Sequence, residues 1–279
     1  MNSTLLCGRF ELTFKRPLVM GILNITPDSF SDGSLHFQTD RAITHARRLI
    51  DEGADIIDIG AESTRPGAQP VDVEQELQRL LPVIEALRPH NVPISVDTFK
   101  PLVMQRALQA GADMINDIYG FRQPGAIEVV VDSNCGLCVM HMQGEPRTMQ
   151  SAPRYGDVVA DIRAFLVERV EALQTAGVNT SRVVIDPGFG FGKTAAQNYA
   201  LLRRIAELQF DNYPLVVALS RKSMIGHVTG REARDRLGGS VAGALAGIAR
   251  GAKIVRVHDV ALTLDAIKVW QAVENGIEE

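Results

Sequence analysis

The sequence has no excess of basic residues, only three cysteines, no apolar run long enough to span a bilayer, and no proline-rich or polar stretch that reads as a linker. Each absence excludes something. A net charge of −4 argues against a general nucleic-acid surface, so any bound anion has to be held by a local cluster of cations. Without a long apolar segment, and with no long apolar h-region in "MNSTLLCGRFELTFKRP", the chain is expected to be neither membrane-bound nor exported. An odd, small number of cysteines suits a reducing compartment, so a cytoplasmic location is expected. Cys135 and Cys138 do spell a CxxC. The second thiol lies inside the apolar run "LCVM" rather than at a helix start, and no second ligand pair stands at zinc-motif spacing. Buried packing is therefore the favoured reading of both.

What is present is an alternation. Apolar residues make up 46% of the 279 residues and charged residues 22%, enough for a large core in an ordinary globular chain. Helical periodicity covers 40–52, where Ala42, Ile43, Ala46, Leu49 and Ile50 share a face, and 72–88, opened by Asp72 with Gln75 as a capping box. Pro101 suits the first turn of a third helix, and Gly111 its end. Longer patterns run over about 157–176, 195–208, 231–250 and 259–275. Between them lie "LVMGIL", "DIIDIG", "PISVD", "DMIND", "GLCVMHM", "RVVID", "LVVALS" and "KIVRVH". These runs are short, continuous and β-branched, as parallel strands buried on both faces should be. Eight strands alternating with helices predict a (β/α)8 TIM barrel in the α/β class. One domain over 1–279 is expected, with alternating Phe10, Leu12 and Phe14 forming a short N-terminal β-hairpin before it.

The loop "DPGFGFGKT" (186–194) resembles two phosphate-binding patterns without fitting either well. A P-loop needs a glycine where Pro187 stands, and proline has neither an N–H nor access to positive φ. Gly190, Gly192 and Ala195, with Asp211 downstream, do satisfy a dinucleotide fingerprint, but that pattern arises easily by chance. A glycine-rich strand-to-helix turn is the better reading.

Polar residues mark the end of every strand: Asn24; Asp58 with Glu62; Asp97; Asn116 and Asp117; His141; Asp186; Ser220, Arg221 and Lys222; Arg256 and His258. In a barrel these ends converge on one mouth. A lone Asn or Asp after a strand is often a cap or a turn former, so about half of them could be structural. Asp97, Asn116 and Asp186 suit a flat heterocycle with several N–H groups. Lys222, Arg256 and His258, with Arg65 on a loop, suit a phosphate or pyrophosphate.

In order, "MGILNITPDSFSDG", "DIGAESTRPG", "SVDT", "HMQGEPRTMQ", "IDPGFGFGK", "LSRKSMIG" and "RVHDV" resemble dihydropteroate synthase, from about Val19 to Val260. The resemblance implies a (β/α)8 barrel that joins 4-aminobenzoate to 6-hydroxymethyl-7,8-dihydropterin pyrophosphate, with Mg2+, in folate synthesis. It places Asn24 on the magnesium–pyrophosphate unit. Asp97, Asn116, Asp186 and Lys222 would hold the pterin, with Met140 beside it, and Arg256 and His258 would take the leaving pyrophosphate. Thr64, Arg65 and Pro66, with Phe191 and Ser223, would border the aminobenzoate, and Asp32 would lie on a loop over the mouth. Asp97, Lys222, Arg256 and His258 would then be the catalytic set. Ala61 and Phe99 depart from the family pattern, at positions that carry no ligand. A pterin-binding methyltransferase would share the Asp and Asn set but should lack the "NITPDSFSDG" loop and the cations. A non-catalytic barrel would bind pterin without releasing pyrophosphate. The small-residue stretch "GGSVAGALAGIARG" and the resemblance together predict a homodimer. The loops 26–34 and 63–70, rich in Ser, Gly and Pro, are expected to be mobile until a ligand orders them.

Overall fold

The computed structural model describes residues 4–25, 35–63 and 69–277. Two short antiparallel strands, β1 (Thr4–Cys7) and β2 (Phe10–Thr13), precede β3 (Leu18–Asn24). The chain then alternates through α1 (Leu35–Asp51), β4 (Ile56–Gly60), α2 (Val73–Leu87), β5 (Ile94–Asp97), α3 (Pro101–Ala110) and β6 (Met114–Asp117). It continues through α4 (Ala126–Val131), β7 (Gly136–Met140), α5 (Val158–Thr175), β8 (Val183–Asp186), α6 (Ala195–Arg203) and β9 (Leu215–Val217). It ends with α7 (Ser223–Thr229), α8 (Leu237–Ile248), β10 (Ala252–Val257) and α9 (Val260–Asn275). β3 to β10 close into a parallel barrel, with β10 paired to both β9 and β3. This is the TIM barrel with its N-terminal hairpin, and all eight apolar runs are its strands.

Side-chain parity organises the interior. Successive residues of a strand point to opposite faces. Val19, Ile57, Ile59, Ile94, Val96, Ile115, Leu137, Val139, Val183, Ile185, Val217 and Val255 join the large outer core beneath the helices. Leu18, Met20, Ile56, Met114, Cys138, Val184, Val216 and Ile254 form a separate inner cluster at the N-terminal end of the barrel. The hairpin seals that end, with Leu5 and Cys7 packed against the inner cluster. It is also tied down by Arg9, whose Nε and Nη2 each donate to Asp113 at 2.9 Å. Cys7, Cys135 and Cys138 are buried and unbridged, and burial pushes their thiols up, which fits packing rather than redox work.

Helix ends follow their caps. The Asp72 side chain accepts from the Gln75 N–H at 2.7 Å. Pro101 opens α3, and Gly111 closes it in the left-handed region at φ 109°. The full reciprocal capping box stands at Thr194 and Gln197. Two patterns differ from expectation. The one over 195–208 divides into α6 and a 3-10 turn, Ile205–Leu208. The one over 231–250 begins only at Leu237, because Arg231–Arg236 offers charged side chains and no apolar face. α4 and α7, at six and seven residues, are too short to show a period. Among the described residues no helix is long and apolar enough to cross a membrane. The two loops expected to be mobile lie largely outside the described residues.

Candidate active site

Two residues further along the same inward rows, the barrel interior turns polar. β4 contributes Asp58, β5 Ser95 and Asp97, β6 Asn116, β8 Asp186 and β10 Arg256. Arg256 donates through Nε to Asp58 Oδ2 at 2.6 Å and through Nη2 to Asp97 Oδ2 at 2.9 Å. Asp58 also accepts from Ser95 Oγ at 2.6 Å and from Asn116 Nδ2 at 3.2 Å. Asn116 Oδ1 is left over: among the described residues it is the one buried side-chain oxygen or nitrogen with no hydrogen-bond partner. Burial pushes the Asp97 carboxyl up towards neutrality, against the pull of Arg256 and with the help of Asp58. Burial also raises Asp186, while Lys222 opposes it. Burial alone would lower the Arg256 guanidinium, but Asp58 and Asp97 outweigh it and keep the group charged.

The loop after β8 forms the next wall. Asp186 Oδ1 accepts from the Gly188 N–H at 2.7 Å, which turns the chain sharply. Gly188 sits at φ 68° with its α-carbon against the strand, so that a Cβ there would lie 1.9 Å from the His141 carbonyl oxygen. The lysine of "GFGK" reaches no surface. Lys193 is buried, which lowers its pKa well below the ordinary lysine value, and its Nζ lies against the carbonyls of Gly188 (2.7 Å) and Phe191 (3.0 Å) and His141 Nδ1 (3.0 Å). The loop is therefore stapled from behind, and its glycines serve turns rather than a nucleotide. Lys222 crosses the front of it: Nζ donates to the Phe189 carbonyl and stands 4.6 Å from the centre of the Phe191 ring. Burial lowers the Lys222 ammonium to about 8, with Asp186 resisting and Arg256 adding to the fall.

An apolar patch borders these groups, made of Ile118, Met140, Met142 and Met149 with Phe99, Tyr119 and Phe191 packed on it. Met140 lies within this patch, and Phe99 adds a ring 4.8 Å from Tyr119. Beyond β9, Ser220 Oγ lies 3.0 Å from His258 Nδ1, and Arg221, at φ 59°, grips Asp259 at 2.6 Å. These links lace the ends of β9 and β10 together and hold Lys222 and His258 on neighbouring turns. Ser223 is exposed at the start of α7.

Not every polar strand end joins this cavity. Asp117 and His141 have the outward parity. Asp117 accepts from the N–H groups of Tyr119 (2.8 Å) and Phe121 (2.7 Å), and His141 meets Lys193. Burial drives His141 down to about 2, so it is neutral. Glu62 joins Glu76 on Lys100, at 2.6 Å each. Asp58, in contrast, belongs to the cavity as its floor. Its even spacing with Ile56 and Gly60 on "DIIDIG" was the signal for that. Asp32, Thr64, Arg65 and Pro66 lie outside the described residues. Arg256, expected at the pyrophosphate, also touches Asp97 of the ring-binding set directly.

For magnesium, Asn24 ends β3 in register with Gly60, itself opposite Asp97. Among the described residues no three His, Cys, Asp or Glu side chains gather to form a cage. The donors present fit a cation that arrives with a phosphate ligand, because Mg2+ commonly takes one or two protein oxygens and completes its shell with phosphate and water.

The pterin binding enzyme family matches residues 20–258. The dihydropteroate synthase of Escherichia coli (strain K12) is 48% identical over 263 residues, covering 94% of this chain and 93% of the relative. The Burkholderia cenocepacia dihydropteroate synthase complexed with 7,8-dihydropteroate superposes with a TM-score of 0.90 at 56% identity, covering 98% of this chain and 96% of that one. The Xanthomonas albilineans enzyme with 4-aminobenzoic acid gives 0.93 at 51% identity, covering 99% of both chains. With an acceptor-lined recess inside a TIM barrel and relatives of this identity along nearly its whole length, the chain belongs to the pterin binding enzyme family, and within it to the dihydropteroate synthases.

Proposed function

We propose that the chain condenses 6-hydroxymethyl-7,8-dihydropterin pyrophosphate with 4-aminobenzoate, giving 7,8-dihydropteroate and pyrophosphate. The unpartnered Asn116 Oδ1 carries this reading. A buried acceptor without a donor is costly, and beside Asp97 and Asp186 it makes a recess that asks for a ligand edge rich in N–H groups. A pterin supplies that edge. Asp97, Asn116 and Asp186 accept from it, Lys222 donates to its acceptors, and Met140 packs on its face. Arg256 and His258 meet the pyrophosphate. By the family resemblance, Thr64, Arg65 and Pro66, with Phe191 and Ser223, would border the aminobenzoate.

The reaction breaks the bond between the pterin methylene and the pyrophosphate oxygen and forms a C–N bond to the aniline nitrogen, which then loses a proton to solvent. Arg256 and His258 stabilise the departing anion, and the carboxylates of half-buried Asp97 and buried Asp186 favour positive charge on the ring and its methylene as that bond lengthens. Magnesium held with the pyrophosphate at Asn24 would neutralise further charge on the leaving group. The aniline is neutral at pH 7, so no general base is required. A coupled assay of pyrophosphate release with both substrates tests the reading. Pterin binding without release would leave only a binding barrel.

Two further parts of the proposal concern loops and assembly. Aminobenzoate should bind well only once pyrophosphate and magnesium are in place, a coupling of about 1–3 kcal/mol. Equal affinity in titrations with and without them would rule that out. The active unit is a homodimer built on α8 and α9. Its support is a row of exposed apolar side chains along the last helix and just past it, Leu262, Val269, Val273 and Ile277, next to the small residues of α8. A monomer mass in light scattering would end it.

A further inference from the structure

Asp58 has no role in the chemistry above, yet it is fully buried at the centre of the site. Its carboxylate gathers donors from three other strands: Ser95 on β5, Asn116 on β6 and Arg256 on β10. Two of these donors belong to the pocket proposed for the pterin pyrophosphate. In all three bonds Asp58 is the acceptor. Asn116 must therefore turn its NH2 towards Asp58, and Oδ1 is left as the buried atom without a partner. Reversed, the amide would set oxygen against oxygen at Asp58 and present a donor to the ligand. Arg256 is held in the same way, with Nε on Asp58 and Nη2 on Asp97, which fixes the plane of its guanidinium across two strands.

We propose that Asp58 is a positioning residue for the condensation: it sets the sense of the Asn116 amide, so that the recess offers an acceptor, and it holds Arg256 beside Asp97. The proposal rests on the pterin reading. Its chemistry separates two variants. Asp58→Ala removes the acceptor, frees the amide and leaves the guanidinium held by Asp97 alone. Asp58→Asn keeps an oxygen where Oδ2 was, since Asn116 and Arg256 both donate there, and turns its NH2 to the Ser95 hydroxyl, which can accept. The second variant thus preserves the amide sense and loses only the charge that steadies Arg256.

The test measures calorimetric affinity for 6-hydroxymethylpterin, KM for aminobenzoate, kcat and melting temperature. In Asp58→Ala the pterin affinity should fall about 30-fold or more, as for a buried polar group left free to mispair. Its KM for aminobenzoate should stay within about threefold. Asp58→Asn should bring pterin affinity back to within about fivefold of wild type. Its kcat should remain down by about tenfold or more, because Arg256 is less well held. A purely structural role would lower the melting temperature and leave the affinity of the folded protein unchanged. A folded Asp58→Ala protein with wild-type pterin affinity would overturn the proposal. If that variant does not fold, Asp58→Asn decides: retained pterin affinity with reduced kcat supports the assignment, and equal losses or no loss refute it. A wild-type protein that neither binds pterin nor releases pyrophosphate would fail the functional reading itself, before any variant is measured.

Discussion

The lower and upper halves of the barrel interior are built by the same strands with the same parity, two residues apart, and they are opposites. Below, Met20, Ile56, Met114, Cys138, Val184, Val216 and Ile254 close on one another under the hairpin. Above, Asp58, Asp97, Asn116 and Arg256 are held by cross-strand hydrogen bonds, and Asp186 by the N–H of Gly188 on its own loop. The lower layer is stable because apolar contact needs no particular partner. The upper layer carries charge at a desolvation cost, visible in the raised Asp97 and Asp186 and the lowered Lys222. Stability and function are thus separated along the barrel axis, as in other barrels of this type.

The strongest way to break this contrast is Arg256→Ala. It leaves the buried Asp58 and the half-buried Asp97 without their cation, so stability should fall by about 3–5 kcal/mol in urea unfolding. Turnover should fall about 10²–10³-fold, and pyrophosphate affinity more than affinity for the pterin alcohol. Unchanged stability would mean that the upper layer does not depend on its ion pairs. The counterpart below is Ile56→Ala, expected to cost about 2–5 kcal/mol of stability while leaving both KM values unchanged. A changed pterin KM there would show that the layers are coupled.

Asp186→Asn sharpens the contrast from the other side. With its one oxygen kept by the Gly188 N–H, an amide would turn an NH2 towards the ligand's donors, so pterin affinity should fall by about 2–3 kcal/mol in calorimetry with aminobenzoate recognition little affected. Unchanged affinity would remove Asp186 from the site. The smallest effect is on pH. The folded chain gives up the Lys222 proton near 8, below the ordinary lysine value of 10.5. Stability therefore rises with pH between those values, while the charged form needed for binding disappears as pH passes 8. The kcat/KM profile for the pterin substrate should decline above that point, and Lys222→Arg should move the decline to higher pH. A flat profile would take the Lys222 charge out of the reaction.

Much of this was legible in the sequence. Continuous β-branched runs between amphipathic helices imposed the barrel, because strands buried on both faces have no polar alternation. The turn signals were also sound where a single residue dictates backbone geometry, as at Pro101 and Gly111. Short elements were not legible: α4 and α7 are one to two turns long and leave no period. The loop 186–194 looked ambiguous because glycine spacing reports permitted turns and says nothing about where Lys193 goes.

The amino-acid order alone determined the strands, the mouth at their C-terminal ends and, through its motifs, the family. It also placed a polar residue at each strand end, but it could not say which of them face one another. That was decided by the tertiary structure. One residue of register separates Asn116, inside the cavity, from Asp117, which caps its own loop, and Met140 from His141, which turns outward to Lys193. Asp58 and Arg256 are 198 residues apart in the chain and 2.6 Å apart in the barrel. Their pairing depends on parallel strands closing into a ring in one register, and no local pattern encodes that closure.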